Sequence, residues 1–331
     1  MLSYTIDPND KTVVRFASDI GLKTAYCRCM TNPISPLKAV TLSPAPEQLS
    51  ELPSLASLFR KAMVKSSTFQ LGQSLPYLSN YVKGVQIDQN HLRAYQKLLG
   101  FDQDQKLPPT YLSMLGFPMI LQIMTHPDFP MKAMGQVHLS NEITVFKNVP
   151  IDQPMTLTAG INNSRITAKG VEWSLGMIAK GDGELIWSSE STMLHRCKTD
   201  LPRKESSVIA PVGESQMWAV DAGMGRRYAS VSGDYNPIHL SALSAKLFGF
   251  KKAIVHGMWS KARCLAALKD QLPDTAYRVQ ARFHRPLFLP SNVLFYSQKQ
   301  ADKTLFSLFN QTGEQAHMDG YISQDLSNAQ F

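Results

Sequence analysis

Asp221-Ala-Gly-Met-Gly-Arg-Arg-Tyr228-Ala-Ser-Val-Ser-Gly233 has a counterpart earlier in the chain, Asp88-Gln-Asn-His-Leu-Arg-Ala-Tyr95-Gln-Lys-Leu-Leu-Gly100. The aspartate, tyrosine and glycine recur at a constant offset of 133 residues. Both tyrosines stand in helical spacing, with Leu92 and Leu99 in one copy and Met224 and Val231 in the other. Each copy then runs into an apolar helix-like stretch, 111–124 and 258–272, followed by strand-like segments. These read 136–146, 155–161, 170–179 and 184–189 in the first half, and 277–283, 293–298, 304–310 and 317–322 in the second. Alternation puts Val279, Ala281 and Phe283 on one strand face, and Gly181-Asp182-Gly183, Leu289-Pro290-Ser291-Asn292 and Thr312-Gly313 mark turns. One helix followed by an antiparallel meander, written twice, predicts two α+β units, each a sheet around one apolar helix.

The 331 residues suit two domains of ordinary size, and 44% hydrophobic against 18% charged is the balance of a chain with a packed core. The polar, proline-containing stretch 199–212 reads as a linker. Residues 1–70 fall outside the repeat and carry an amphipathic helix with Leu52, Leu55, Leu58, Phe59 and Met63 on one side, a covering extension to which no function attaches. The domain reading is therefore 1–70 extension, 71–198 first unit, 199–212 linker and 213–331 second unit. Of the four cysteines, Cys27 and Cys29 are one residue apart, which is poor for zinc, and Cys197 and Cys264 stand alone. Free thiols, no metal and no cofactor are expected. The N-terminus lacks a signal-peptide pattern, and no stretch approaches the roughly 18 apolar residues of a membrane span, so a cytoplasmic protein is expected. The net charge of +8 is scattered, with no basic run of five, so nucleic acid is not an expected partner. An anionic small ligand or an acidic carrier protein fits that charge equally well.

Chemistry concentrates in Tyr228-Ala-Ser-Val-Ser-Gly-Asp-Tyr-Asn-Pro-Ile-His239, continuing through Leu247-Phe-Gly-Phe250 to Ile254-Val-His-Gly-Met258. Gly233 permits a tight turn after a helix, and Pro237 fixes its own φ and holds Asn236 extended. The loop is thus stiff and offers Asp234, Asn236 and His239 from one short arc. A carboxylate and an imidazole on one rigid loop can grip a water and move its protons at neutral pH. Downstream, Gly257 opens the apolar helix of this half, where an uncovered N–H can steady a developing oxyanion. Each feature alone has a structural reading, an Asn-Pro surface turn, a core histidine or a packing glycine. The ordered set points to catalysis.

This run resembles the MaoC-like, or R-specific enoyl-CoA hydratase (hydratase 2), signature: Tyr, then Ser-Gly-Asp-x-Asn-Pro-x-His, then Gly-Phe, then His-Gly-Met. The tandem arrangement is similar to the double-hotdog 3-hydroxyacyl-thioester dehydratases. The resemblance implies two tandem hotdog folds, each an antiparallel sheet wrapped around a central helix, the N-terminal one degenerate. It implies Asp234 and His239 as the water-activating dyad, Asn236 as its positioner and the Gly257 N–H as the carbonyl's partner, with Ser232, Tyr235, His256 and Met258 around the substrate. The reaction implied is reversible hydration of trans-2-enoyl thioesters to (R)-3-hydroxyacyl thioesters, with acyl-CoA or an acyl-carrier-protein thioester as substrate. A thioesterase on the same fold, or a non-catalytic acyl-thioester binding protein, remains as an alternative. Two fused units make either a monomeric pseudo-dimer or half of a homodimer.

At the same offset Phe101 stands where Asp234 stands, and the Asn-Pro-x-His segment has no room in the first half. His91 and His126 there are expected to be structural or exposed. Pro118 should kink or break the first half's central helix. The space so made, beside Tyr111, Leu115, Phe117, Met119, Ile123 and Met124, is the expected tunnel for an acyl tail. Lys251, Lys252, Lys261, Arg263, Arg282 and Arg285 are candidates for holding the carrier's phosphates.

Overall fold

The computed structural model describes residues 46–103, 106–202 and 209–327. Cys27, Cys29, most of the covering extension and the middle of the linker lie outside the described residues.

The repeat is visible in backbone detail. Helix α2 (Gln89–Leu99) begins where the Asp88 carboxylate accepts the N–H groups of Asn90 and His91, and it ends at Gly100 in the left-handed region, φ 89°. Helix α5 (Met224–Ser232) ends the same way at Gly233, φ 71°. Its aspartate differs in use: Asp221 lies two residues before the N-cap and accepts from Gly223 N and from Arg227. The repeated tyrosines meet, with the rings of Tyr95 and Tyr228 6.4 Å apart and both side chains buried.

Each half supplies strands in the same order, one before its repeated helix and four after its central helix. The first half gives β2 (Ser79–Val85), β3 (Val137–Val145), β4 (Met155–Thr167), β5 (Gly170–Gly181) and β6 (Glu184–Arg196), and the second gives β7 (Glu214–Val220), β8 (Tyr277–Phe283), β9 (Ser291–Lys299), β10 (Lys303–Asn310) and β11 (Ala316–Ser323). With the short β1 (Glu47–Leu49), the described strands form one 11-stranded sheet, in the order β1-β2-β4-β5-β6-β3-β8-β11-β10-β9-β7. The order reads as a mirror list about the antiparallel β3–β8 pair, in which Ile143 faces Val279. Two hotdog units are thus joined edge to edge into a continuous sheet. The sequence reading found eight of these strands and missed β1, β2 and β7. Of these, β7, Glu-Ser-Gln-Met-Trp-Ala-Val, opens on three polar residues, and β2 carries Lys83 and Gly84.

The central helices differ between the halves. In the second half α7 (Gly257–Ala267) is unbroken and buries Trp259, Lys261, Ala262, Cys264, Leu265 and Ala266. In the first, the expected single helix is two pieces, α3 (Tyr111–Leu115) and α4 (Phe117–Thr125). The break falls at Gly116 rather than at Pro118. A Cβ at Gly116 would sit 1.9 Å from Met177 Cε, the end of a flexible side chain, so a larger residue there would require Met177 to move. Pro118 lies in the first turn of α4, where a missing N–H costs nothing.

Helix α1 (Leu55–Val64), the amphipathic helix of the extension, turns Leu58 and Ala62 into the core. Phe59 meets Phe117 of α4 at a ring distance of 6.2 Å. Among the described residues no helix is long and apolar enough to cross a membrane.

Candidate active site

The loop after α5 is built from hydrogen bonds that each reach two residues along the chain. Asp234 N donates to Ser232 Oγ at 3.2 Å, Asn236 N donates to Asp234 Oδ1 at 3.2 Å, and Ile238 N donates to Asn236 Oδ1 at 3.4 Å. Pro237 opens a 3-10 turn, Pro237–His239, with Asn236 extended before it at φ −56°, ψ 124°. Short polar side chains closing on the next peptide make such a loop rigid. Gly225 of α5 lets the turn approach, since a Cβ there would lie 2.0 Å from His239 O.

His239 is 8% exposed and its Nδ1 lies 2.8 Å from Ile254 O. A carbonyl only accepts, so Nδ1 carries the proton and the neutral ring keeps Nε2 as a base. His256, 3% exposed, stacks on His239 with centroids 3.6 Å apart and 26° between planes. Its Nε2 donates to Asp234 O at 2.9 Å, and Tyr228 packs behind it at 4.9 Å. The carboxylate of Asp234 stays 29% exposed, so the site opens to solvent on the acid's side. Ligand-capable atoms of Asp234, His239 and His256 all lie within 4.8 Å of one another.

Burial raises the pKa of Asp234, against the lowering effect of His239 and of the Asn236 N–H. Burial also lowers that of His239, opposed by Asp234 and the Ile254 carbonyl. The proton affinities of the two groups are thereby drawn toward each other, which eases passing a proton either way. His256 is driven well below its ordinary value, by burial first and His239 second, and stands as a neutral platform.

Gly257 is the first residue of α7, directly after His256, and that helix end carries no side-chain cap. A Cβ on Gly257 would come within 3.1–3.3 Å of the Phe283 ring, so the wall beside this N–H is already filled by an aromatic face. An uncapped helix N-terminus beside a carboxylate–imidazole pair can hold the oxygen on which negative charge develops.

The structure brings Asp234, His239, His256 and Gly257 together and changes the parts of several neighbours. Asn236 gives its side-chain oxygen to the turn, so it acts on the dyad through the loop's shape. Ser232 is buried and accepts from Asp234 N, a positioning contact rather than a pocket wall. His256 lies behind His239 instead of lining the substrate space. Met258 is partly buried against the core, and Tyr235 is 48% exposed, facing α1. Tyr111 is wholly inside the core with its hydroxyl 3.0 Å from His91 Nδ1, and Met119, Ile123 and Met124 are buried too, whereas Leu115 and Phe117 are only partly covered.

Among the basic candidates, Lys261 is corrected outright. It is fully buried and donates to Asn141 O, Asn141 Oδ1 and Val279 O. Arg263 stacks over Trp218 at 4.5 Å and Arg282 pairs with Asp319, while Lys251, Lys252 and Arg285 are exposed. Two participants escaped the sequence reading. The carbonyl of Ile254 carries no side-chain signal. Leu55, whose Cδ1 lies 2.2 Å from where a Gly233 Cβ would be, belongs to a helix with no sequence link to the loop.

The Asp234–His239–His256 cluster has the residue types of a metal site. Both rings, however, already engage backbone carbonyls through one nitrogen, and stacked rings do not aim their remaining lone pairs at one point. The arrangement fits proton transfer to a bound water.

Comparison with known proteins agrees with this chemistry. The family described as MaoC like domain matches residues 205–319, the segment that holds the loop and α7. The 3-hydroxyacyl-thioester dehydratase X of Mycobacterium tuberculosis is 30% identical over 249 residues, covering 73% of this chain and 88% of that protein. The crystal structure of HtdX of M. tuberculosis matches with a TM-score of 0.66 at 28% identity, over 74% of this chain and 98% of that one. A MaoC-like dehydratase from Phytophthora capsici, with a TM-score of 0.61 at 18% identity over 77% of this chain and 97% of that one, shares the fold. By fold, by this loop and by these relatives, the chain belongs to the family of MaoC-like dehydratases.

Proposed function

We infer that the chain catalyses the reversible hydration of trans-2-enoyl thioesters to (R)-3-hydroxyacyl thioesters. The observation that carries this reading is the carboxylate of Asp234 and the imidazole of His239 on one stiff loop, immediately beside the uncapped N-terminus of α7. In the forward direction the oxygen of a water held by the dyad bonds to C3 as one of its protons passes to the dyad. The C2–C3 electron pair moves toward the thioester oxygen, which the Gly257 N–H steadies. A proton from the dyad then reaches C2 on the same face, and the carbonyl re-forms. Dehydration runs these steps in reverse. His239 Nε2 suits the base's part because Nδ1 is committed to Ile254.

The acyl tail has a route along the broken helix of the first half. Leu115 and Phe117 flank the break, and Phe59 of α1 touches Phe117. Beside them an apolar cleft of about 330 Å³ runs between α1 and the catalytic loop, lined by Leu55, Ala56, Phe59, Met63, Tyr235 and Pro237. A mostly apolar concavity next to a few polar groups suits a fatty chain.

The test is loss of the enoyl-thioester absorbance with crotonyl, octenoyl and dodecenoyl thioesters on both carriers. Asp234→Asn and His239→Ala should each lower kcat by about 10²–10⁴-fold in a folded protein. Wild-type rates in both variants would remove the dyad, and release of free thiol instead of hydration would make the chain a thioesterase.

A further inference from the structure

The segment between His239 and Ile254 is oriented against the usual logic of an amphipathic helix. Helix α6 (Ala242–Lys246) turns Ala245 inward and leaves its leucine outside. Leu243 is 77% exposed and Leu247, one turn on, is 82% exposed. With Val64 they are the most exposed large apolar side chains among the described residues. Lys246 lies between them, and Lys251 and Lys252 follow, all three exposed. Residues 240–256 contain no aspartate or glutamate. Lys251 is also steadied, its Nζ 4.9 Å from the Phe288 ring centre.

The patch is firmly mounted. Ser241 Oγ accepts Ser244 N at 3.1 Å, and Ser244 Oγ donates to Pro237 O at 2.7 Å, in the turn that carries His239. From the far side Ile254 N donates to Ile238 O, and His239 Nδ1 donates to Ile254 O. Serines and an alanine hold the element down, and no contact of the fold requires leucines on its outer face. An apolar centre with a charged rim is the composition of a protein interface. A convex helix surface cannot enclose a nucleotide, which needs a concavity.

We propose that Leu243 and Leu247, ringed by Lys246, Lys251 and Lys252, form the docking surface for an acidic carrier protein that brings the acyl thioester on a flexible prosthetic arm. This rests on the hydratase reading and names the carrier for that same site. Lysines on the rim attract an acidic partner, the leucines take its apolar contact, and the attached turn sets the arm's end at the dyad.

The experiment compares the full chain with two variants, the triple substitution Lys246→Glu, Lys251→Glu, Lys252→Glu and the double substitution Leu243→Ser, Leu247→Ser. Each is assayed on the trans-2-octenoyl group as an acidic bacterial acyl-carrier-protein thioester, as a CoA thioester and as an N-acetylcysteamine thioester. For the carrier-borne substrate KM should rise by about 10-fold or more in both variants with kcat unchanged, and in the triple variant the salt dependence of the wild type should vanish. Turnover of the N-acetylcysteamine thioester should stay within about 2-fold, because neither variant touches the dyad. An unchanged KM on the carrier protein overturns the proposal. So does a loss shared equally with the N-acetylcysteamine thioester, or a loss confined to CoA, which would assign the lysines to nucleotide phosphates. If the wild type hydrates none of the three, the hydratase reading fails and the docking proposal falls with it. Hydration of the two small thioesters without the carrier-borne one sinks the docking proposal alone.

Discussion

His239 and Asp234 pull each other's protonation in opposite senses, and the direction of each shift sets where activity should fall with pH. The reactive state has His239 neutral, with Nε2 free, and Asp234 ionised. Burial lowers His239 from its ordinary 6.5, and burial raises Asp234 from its ordinary 3.8. Protonation of either group on acidification removes the base, so kcat/KM should fall on an acid limb, with the His239 contribution to it lying below 6.5 and the Asp234 contribution above 3.8. The sign of the coupling gives a second expectation. The Asp234 carboxylate favours the imidazolium, so Asp234→Asn should move the residual activity's acid limb to lower pH. A limb that stays in place or moves up in the variant would show that His239 does not report on this carboxylate. At this level the sequence was informative, because glycine, aspartate, asparagine, proline and histidine each impose local geometry that needs no distant partner. What it left out was the backbone carbonyl that fixes the tautomer, since Ile254 looks like any core residue.

Helices α1 and α4 show why element positions were harder to read than loop geometry. Pro118 marks a break correctly but displaces it, because the break falls at Gly116, the residue that ends α3 and opens α4, with Pro118 accommodated in the first turn that follows. The apolar side of α1 was visible at Leu55, Leu58, Phe59 and Met63, yet helical periodicity says only that a face is covered, not what covers it. In the fold Leu58 faces the core, while Leu55, Phe59 and Met63 border the cleft at the catalytic loop. Bulk added there should discriminate substrates by tail length. Phe59→Trp is expected to lower kcat/KM for dodecenoyl thioester by about 10–100-fold, the effect of a few displaced methylenes, and to leave crotonyl thioester nearly untouched. Equal effects on both chain lengths would mean that α1 only braces the loop, through Leu55 against Gly233.

The mirrored strand order makes the β3–β8 seam the centre of the sheet, and that centre is unexpectedly polar. Lys261 of α7 reaches Asn141 of β3 and Val279 of β8, one residue from each half. A pattern of apolar residues could announce the helix but not the buried ammonium, which is satisfied only by strands 120 and 18 residues away. Lys261→Met leaves Asn141 Oδ1 without this donor, at a cost of about 2–3 kcal/mol in urea unfolding with unchanged m, and Asn141→Leu on top should restore part of it. Nearby, His138 packs against Phe283 at 4.8 Å with its Nε2 buried and unpartnered, and burial, reinforced by Lys261, lowers its pKa to about 4. His239 and His256 are lowered as well. An unfolded chain binds protons at these histidines below the ordinary 6.5, while the folded one refuses them, so their contribution to stability is full above 6.5 and is lost as pH falls, for His138 toward 4. Each such histidine contributes a slope of up to about 1.4 kcal/mol per pH unit inside that window. Replacing His138 with leucine removes the unpartnered Nε2 and gives up only the ring's hydrogen bond with the Ser140 backbone, so the fold should persist with a shallower dependence of Tm on pH between 4 and 6.5. An unaltered slope in His138→Leu would mean that this histidine accepts its proton without unfolding, and the acid sensitivity would then belong to the dyad and its stacked neighbour.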